Sequence, residues 1–288
     1  MLVSQYNHIL VVLSFVVAIL AAYTALNMAA RVAGSQGVAA RVWLAGGGIA
    51  MGIGVWSMHF IGMLAMDLSM SMSYNATLTV LSMLIAVGSS LFALWLVSCE
   101  QLRLRRLLPG ALVMGSGIVA MHYTGMAALE VMPGIIWDKV WVAISVVIAL
   151  AASLTALWLT FRLRREAAQV VLMRMGAAIT MGIAIAGMHY AGMKAAQFPM
   201  STMVHHEGIN GSWLAVLVSV VALSILGITL LVSMLDARLQ ARTALLASSL
   251  AEANRELAQL ALHDTLTRFP NRILLEDRLD QAISKADR

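Results

Sequence analysis

The sequence predicts an all-α protein that crosses a membrane seven times, and its composition and apolar runs carry this prediction. Hydrophobic residues make up 61% of the 288 residues and charged residues only 11%, which is far from the composition of a soluble domain. Seven apolar runs of about 20 residues are long enough to span a hydrocarbon core of about 30 Å. The predicted spans are 9–30, 42–66, 77–98, 108–130, 140–161, 171–195 and 213–235.

The basic residues between the spans predict how the chain is oriented. Alternate loops are rich in arginine, namely Arg31, Arg41, Arg103, Arg105, Arg106, Arg162, Arg164 and Arg165. The remaining loops contribute Lys139 and, at a helix end, Lys194. Because Lys and Arg accumulate on the cytoplasmic side of a membrane, we expect the N-terminus outside and the C-terminus inside. The formal net charge of +5 therefore reflects membrane topology, and we expect no nucleic-acid partner.

One motif occurs three times, in alternate spans. It reads MGIGVWSMHFIGM at 51–63, MGSGIVAMHYTGM at 114–126 and MGIAIAGMHYAGM at 181–193. The spacing between copies matches one out-and-back pair of helices, so spans 2, 4 and 6 carry the motif in the same direction. We therefore expect His59, His122 and His189 to lie at one depth, in the outer part of the membrane.

Helical geometry predicts which motif residues share a face. Each histidine and the methionine four residues later lie on one side of a helix, which pairs His59 with Met63, His122 with Met126 and His189 with Met193. Glycines seven residues before and three residues after each histidine lie on or near that side, namely Gly52, Gly62, Gly115, Gly125, Gly182 and Gly192. Small residues allow close helix packing in lipid, so we expect these three helices to be drawn together around a cluster of imidazoles and thioethers.

The methionines directly before the histidines have two possible roles. Met58, Met121 and Met188 point about 100° away from the histidines around the helix. They either close the predicted site from its flank or pack against a neighbouring helix.

Imidazole and thioether together form a soft ligand set, which favours copper and particularly Cu(I). Zinc prefers Cys, His and carboxylate ligands; three histidines at one depth suit it too, and two histidines can hold a haem iron axially. The alternative is packing, since methionine is a flexible gap-filler and the chain has 21 of them. Three intramembrane histidines at one register favour ligand binding, because polar groups in lipid are costly and mark function.

Other polar residues near the outer side are weaker candidates. Asp67, Glu130 and Gln197 follow their histidines by eight residues. They either guide a cation toward the histidines or are simply solvated residues at helix ends. A loop containing His205, His206 and Glu207 is either a capture site for a metal or an ordinary polar loop.

The composition changes after the seventh span. Residues 236–262 are polar and contain no Gly or Pro, which predicts a helical stalk. A heptad pattern fits them, with core positions Leu239, Thr243, Leu246, Leu250, Ala253, Leu257 and Leu260. The stalk is either a dimerising coiled coil that carries a signal out of the membrane or a solvated linker helix.

The literal M-H-Y-T at 121–124 resembles the MHYT family of bacterial integral-membrane sensor domains, and all three motif copies fall within about residues 8–200. The resemblance implies a sensor in the bacterial inner membrane that binds copper and detects oxygen, carbon monoxide, nitric oxide or redox state. The ligand candidates it implies are Met58, His59, Met63, Met121, His122, Met126, Met188, His189 and Met193. Phe60 replaces the motif tyrosine in the first copy, so Tyr123 and Tyr190 are expected to orient histidines rather than bind metal.

The segment HDTLTRFPNRILLEDRLDQAI at 263–283 looks like the start of a GGDEF-type diguanylate cyclase domain, which commonly begins D-x-L-T-x-L-P-N-R. Its matching residues are Asp264, Leu266, Thr267, Pro270, Asn271 and Arg272, with Phe269 in place of the usual Leu. No GGDEF or EAL sequence follows. We therefore expect a sensor domain at 1–235, the stalk at 236–262 and a truncated cyclase start at 263–288, without enzyme activity in this chain.

A membrane oxidoreductase that uses haem is disfavoured, because the three histidines share one depth and their pairing with methionines would be unexplained. Three other functions remain open at this point. A sensor would couple a copper site to a cyclic-di-GMP cyclase or phosphodiesterase in a longer parent protein, through a homodimeric stalk. A copper transporter would require polar residues further inward along the spans, which look too apolar. A structural anchor would only dimerise the output domain, and its histidines would be dispensable.

Overall fold

The computed structural model describes residues 5–67, 73–99, 104–132, 134–163, 170–199, 203–204, 209–264, 269 and 271–286. Helices dominate this part of the chain: α1 (His8–Gly34), α2 (Gly37–Leu64), α3 (Ala76–Ser98), α4 (Leu104–Ala127), α5 (Lys139–Leu163), α6 (Val170–Ala195), α7 (Gly211–Leu262) and α8 (Arg272–Ala286). Among the described residues, α1 to α7 are long and apolar enough to cross a membrane. The predicted seven-helix membrane protein is confirmed, and each predicted span falls on one helix.

The first six helices form a closed ring. Each of them packs against the next along the chain, and α6 returns to pack against α1. The seventh helix buries one stripe at a spacing of four residues, formed by Leu214, Val218, Ala222 and Leu226, in the same hydrophobic cluster as α1 and α2 residues. Arg31, near the C-terminal end of α1, donates a hydrogen bond to the Ser233 carbonyl of α7 at 3.0 Å, which joins these two helices.

The ring is built from three equivalent helix pairs, α1–α2, α3–α4 and α5–α6. In each pair, the backbone N–H of the residue that precedes the first helix donates to an alanine carbonyl at the end of the second. The three bonds are Asn7 to Ala65 at 2.8 Å, Asn75 to Ala128 at 2.8 Å and Asp138 to Ala195 at 2.9 Å. The same Asn and Asp side chains accept from N–H groups of the first turn, so they also cap the helices.

Short strands join the loops on one side of the ring. They are β1 (Gln5–Tyr6), β2 (Met66–Asp67), β3 (Ser73–Tyr74), β4 (Val131–Met132), β5 (Ile136–Trp137), β6 (Ala196–Gln197), β7 (Met203–Val204) and β8 (Ile209–Asn210). They pair antiparallel as β1–β2, β3–β8, β4–β7 and β5–β6. All four pairs lie on the side of the ring where α2, α4 and α6 end, which is the side closer to the motif histidines. The sequence analysis predicted no strands, because two-residue strands leave no hydrophobic period to detect.

The glycines seven residues before the histidines contact different helices from those expected. A Cβ added to Gly52 would lie 2.5 Å from the Val87 Cα of α3. The equivalent positions, Gly115 and Gly182, approach Leu150 of α5 and Ile19 of α1. The expectation that these glycines draw the motif helices to each other was wrong. Each of them instead allows the next odd-numbered helix of the ring to pack closely against the motif helix.

The chain forms two compact units, Met1–Ser233 and Met234–Arg288. In the second unit, the predicted stalk is helical, and its leucines are largely exposed: Leu239, Leu246, Leu250, Leu257 and Leu260 are each more than 60% accessible. Asn271 caps α8 by accepting from the Leu274 N–H at 3.1 Å, and its side-chain amide donates to the Ala261 carbonyl at 2.6 Å. Leu266, Thr267 and Pro270 of the predicted cyclase start lie outside the described residues.

Candidate metal centre

The structure brings His59, His122 and His189 together at the centre of the ring. All three side chains have no solvent-accessible area. Their ring centroids are 4.8, 5.1 and 5.3 Å apart, and the ring planes meet at 72° to 85°. The three imidazoles are thus arranged like the blades of a propeller, with one blade from each motif helix.

The Nδ1 atoms of the three rings face one another. His59 Nδ1 lies 3.1 Å from Nδ1 of both His122 and His189. A ring nitrogen carries either one proton or one lone pair, so His59 Nδ1 cannot make two full hydrogen bonds. With protons alone, the ring nitrogens of this fully buried cluster therefore lack part of their hydrogen bonding.

A single metal ion fits the donor set better than protons do. Two nitrogens bound to one ion at 2.0 Å in tetrahedral directions lie about 3.3 Å from each other, close to the 3.1 Å that separates His59 Nδ1 from each of the other two Nδ1 atoms. Within the described part of the chain, these histidines form a group whose ligand atoms all lie within 4.8 Å of one another. The residues present can thus hold a metal ion.

The outer nitrogen of each ring rests on a glycine of a neighbouring motif helix. A Cβ at Gly125, Gly192 or Gly62 would come closer than 3.0 Å to Nε2 of His59, His122 or His189, respectively. Among the described residues, these three Nε2 atoms have no hydrogen-bond partner. The glycine three residues after each histidine is therefore what lets the motif helices meet, in a cyclic order from α2 to α4, α4 to α6 and α6 to α2.

All six candidate methionine ligands are buried. Met58, Met63, Met121, Met126, Met188 and Met193 are each no more than 2% exposed. Metal ligands and packing residues are both buried, so burial does not distinguish the two roles. Which thioethers would complete a metal site stays a prediction.

The motif tyrosines bind serines rather than histidines. Tyr123 pairs with Ser145 of α5 at 2.7 Å and Tyr190 with Ser14 of α1 at 2.8 Å, hydroxyl to hydroxyl. Both serines also donate to a backbone carbonyl three residues earlier, so the tyrosines are the donors. The expectation that tyrosine hydroxyls orient the histidines was wrong, although each tyrosine ring stands edge-on to its neighbouring imidazole.

The first copy makes the same connection with a different residue. Phe60 has no hydroxyl, but Trp56 Nε1 donates to Ser82 of α3 at 3.0 Å. Ser82 is equivalent to Ser14 and Ser145, since each lies seven residues after a helix-capping residue. Sequence analysis missed this ring of serines, and their regular distance from Asn7, Asn75 and Asp138 was the available signal.

Exchanging the donor in the first copy tests this equivalence. Trp56→Phe is expected to lower the free energy of unfolding by about 1 kcal/mol through the lost hydrogen bond, in addition to the effect of lost volume. Phe60→Tyr added to Trp56→Phe should recover part of the loss, because a tyrosine at 60 takes the place that Tyr123 and Tyr190 hold. Thermal stability in detergent, analysed as a double-mutant cycle, measures the coupling; strictly additive effects would contradict the equivalence.

The polar candidates outside the motif are not part of the cluster. Asp67 and Gln197 lie in the short strands β2 and β6, and Glu130 accepts from the Asn75 side-chain amide at 3.4 Å. His205, His206 and Glu207 lie outside the described residues.

Comparison with known proteins shows three matches to one family profile, described as the MHYT bacterial signalling protein N-terminal repeat, at residues 52–110, 115–173 and 182–244. Each match begins at the glycine seven residues before a cluster histidine. No solved structure is significantly similar to the chain.

Curated relatives extend this similarity. The chain is 59% identical over its whole length to MucR of Pseudomonas aeruginosa, a bifunctional diguanylate cyclase/cyclic di-GMP phosphodiesterase, and covers 42% of that protein. It is 35% identical over 93% of its length to NbdA of the same species, a cyclic di-GMP phosphodiesterase, covering 35% of it. It is 37% identical over 67% of its length to the signalling protein YkoW of Bacillus subtilis, covering 24% of it. The chain spans less than half the length of these relatives. With three profile matches over more than half of its residues, each containing one histidine of the buried cluster, the chain belongs to the MHYT family of bacterial membrane signalling proteins.

Proposed function

We propose that the chain is the sensor part of a cyclic-di-GMP signalling protein, and that it binds copper at His59, His122 and His189 and responds to a diatomic gas or to redox state. The observation that carries this proposal is the pair of 3.1 Å contacts at His59 Nδ1 in a fully buried cluster. Such an arrangement is costly in a membrane unless an ion or ligand uses it.

The surrounding side chains favour copper over zinc. Six buried methionines flank the histidines in sequence, and thioethers bind Cu(I) better than zinc or harder ions. Met63, Met126 and Met193 lie on the histidine side of their helices and are the first candidates to complete the site. A bound copper ion would supply a redox couple and an exchangeable position for a small ligand.

The protein's own contacts suggest how a change at the site reaches the helices. Each imidazole rests on a glycine of the next motif helix, so a shift of one ring displaces the neighbouring backbone. Well-packed interiors do not absorb such shifts continuously. The ring of six helices would therefore change its packing as a unit.

The output side is proposed from the stalk and the relatives. The seventh helix contains both the seventh span and the stalk, and the exposed stalk leucines suit a parallel homodimer. We place the N-terminus in the periplasm and the C-terminus in the cytoplasm, because arginines cluster in the loops on one side. Residues 263–288 would begin a cyclase domain in a longer protein that makes or degrades cyclic di-GMP, as the names of MucR and NbdA suggest.

Metal analysis of the purified protein tests the proposal. Copper is expected at one or more ions per chain after loading with Cu(I), and the combined variant His59→Ala, His122→Ala and His189→Ala should bind at least one ion fewer, because the imidazoles supply the cluster nitrogens. The measurement is mass spectrometry of metal content on detergent-purified protein, with Met28→Leu in α1 as a control that leaves the histidines intact. Equal copper in the histidine variant and the unchanged protein would overturn the metal site; unchanged signalling by that variant in the full-length protein would support a structural anchor instead.

A further inference from the structure

A second set of three equivalent side chains lies inward of the histidines. Met51, Met114 and Met181 each precede a cluster histidine by eight residues, about 12 Å along a helix. They fall at the middle of α2, α4 and α6. The first position of all three motif copies is thus methionine, while several positions between it and the histidine differ.

The three methionines line one cavity. Its volume is about 20 Å³, enough for a single particle the size of a water molecule. Val55, Ile118 and Ile185, one turn closer to the histidines, line it as well. The methionines are only 4% to 6% exposed and belong to one hydrophobic cluster. The three methionine side chains therefore border one small cavity in the apolar part of the ring.

The chemistry of this cavity selects for one class of ligand. Thioethers are neutral and polarizable, and they prefer soft ions such as Cu(I) to harder divalent ions. The other lining residues are aliphatic, apart from the single hydroxyl of Ser153. None of them carries a carboxylate that could balance a double charge, and a charge at mid-membrane depth is expensive. A soft monovalent ion loses least on entering, since it exchanges weakly held water for thioether ligands.

We propose that Met51, Met114 and Met181 form a second metal site, for Cu(I), that is separate from the histidine cluster. The site goes beyond the function proposed above, because it does not require that the histidines bind metal. Leucine has a similar volume but no sulfur, so Met→Leu changes at these positions test the contribution of the thioethers. Zinc, which seldom accepts thioethers, is excluded from this site while remaining suited to the histidine cluster.

Silver provides a redox-inert probe of a Cu(I) site. In a protein that carries His59→Ala, His122→Ala and His189→Ala, the further changes Met51→Leu, Met114→Leu and Met181→Leu are expected to remove one bound Ag(I) per chain. Mass spectrometry and calorimetric titration measure the number of bound Ag(I) ions. In the protein that keeps Met51, Met114 and Met181, X-ray absorption should show sulfur ligands around Ag(I). Met28→Leu on the same background, a buried methionine of α1, should leave the number unchanged.

Three outcomes separate the two proposals. Equal Ag(I) binding with and without the Met51, Met114 and Met181 changes overturns the methionine site and leaves these residues to packing. Loss of one Ag(I) only upon these changes supports it, even if the histidines prove not to bind metal. Should the combined protein fail to fold, Met114→Leu alone in the otherwise unchanged protein is expected to weaken Ag(I) binding at least tenfold without affecting Zn(II) binding; unchanged Ag(I) affinity would contradict the site.

Discussion

Gly192→Ala is expected to weaken metal binding by the histidine cluster roughly 100-fold, as much as the loss of a residue that supports a metal ligand directly. A Cβ at this position would come closer than 3.0 Å to Nε2 of His122, a separation that real Cβ atoms do not adopt. The imidazole or α6 must therefore move by a sizeable fraction of an ångström. Metal sites tolerate ligand displacements of only about 0.2 Å, so His122 Nδ1 would leave its position opposite His59.

The same helix offers a matched control for this change. Gly187 lies five residues before Gly192 in α6, and a Cβ there would meet no atom within 4 Å. Gly187→Ala should therefore keep the affinity for Cu(I), and both variants can be compared by competition with a chelator of known affinity. Unchanged affinity in Gly192→Ala would mean that the contact between His122 and this glycine does not position the imidazole.

Gly52→Ala is expected to lower the free energy of unfolding by about 1–3 kcal/mol, the usual cost of overpacking a close contact. The added Cβ would lie 2.5 Å from the Val87 Cα and 2.8 Å from its backbone nitrogen. A side chain can rotate away from such a contact, but the backbone of α3 can relieve it only if the two helices separate. Separation of α2 from α3 would open the ring of helices that surrounds the histidine cluster.

Gly46→Ala in the same helix isolates the effect of that contact. No atom lies within 4 Å of a Cβ at Gly46, and alanine has a higher helix propensity than glycine by up to about 1 kcal/mol. Gly46→Ala should therefore be neutral or slightly stabilising, whereas Gly52→Ala should lower the thermal stability measured in detergent. If both variants were equally stable, glycine at 52 would not be required for the approach of α2 to α3.

The histidine cluster was predictable because it depends on a repeat. Three copies with one register must place equivalent residues at one depth if their helices run in the same direction, and the structure brings His59, His122 and His189 within contact. The role of the tyrosines was not predictable in this way. Tyr123 reaches Ser145 on the next helix, whereas Tyr190 reaches Ser14 on a helix that is distant in sequence. In the first copy, a tryptophan one turn earlier makes the equivalent bond.

The two glycine positions that all three motif copies share show the same division. Both lie near the histidine face, so helical periodicity treats them alike. In the folded ring, Gly62, Gly125 and Gly192 meet histidines of other motif helices, whereas Gly52, Gly115 and Gly182 meet α3, α5 and α1. The difference arises because a motif helix has neighbours on several sides, and its own periodicity does not identify them.

Hydropathy and the period of the repeat can be read from short stretches of the sequence. They are sufficient to predict seven membrane helices, their three-copy pattern and the common depth of the histidines. Contacts between segments far apart in sequence depend on which helices become neighbours when the ring closes. Tertiary packing decides that His59 Nδ1 lies 3.1 Å from the Nδ1 atoms of His122 and His189. It also decides that Tyr190 meets Ser14 where α6 returns to α1, and that Met51, Met114 and Met181 line one cavity.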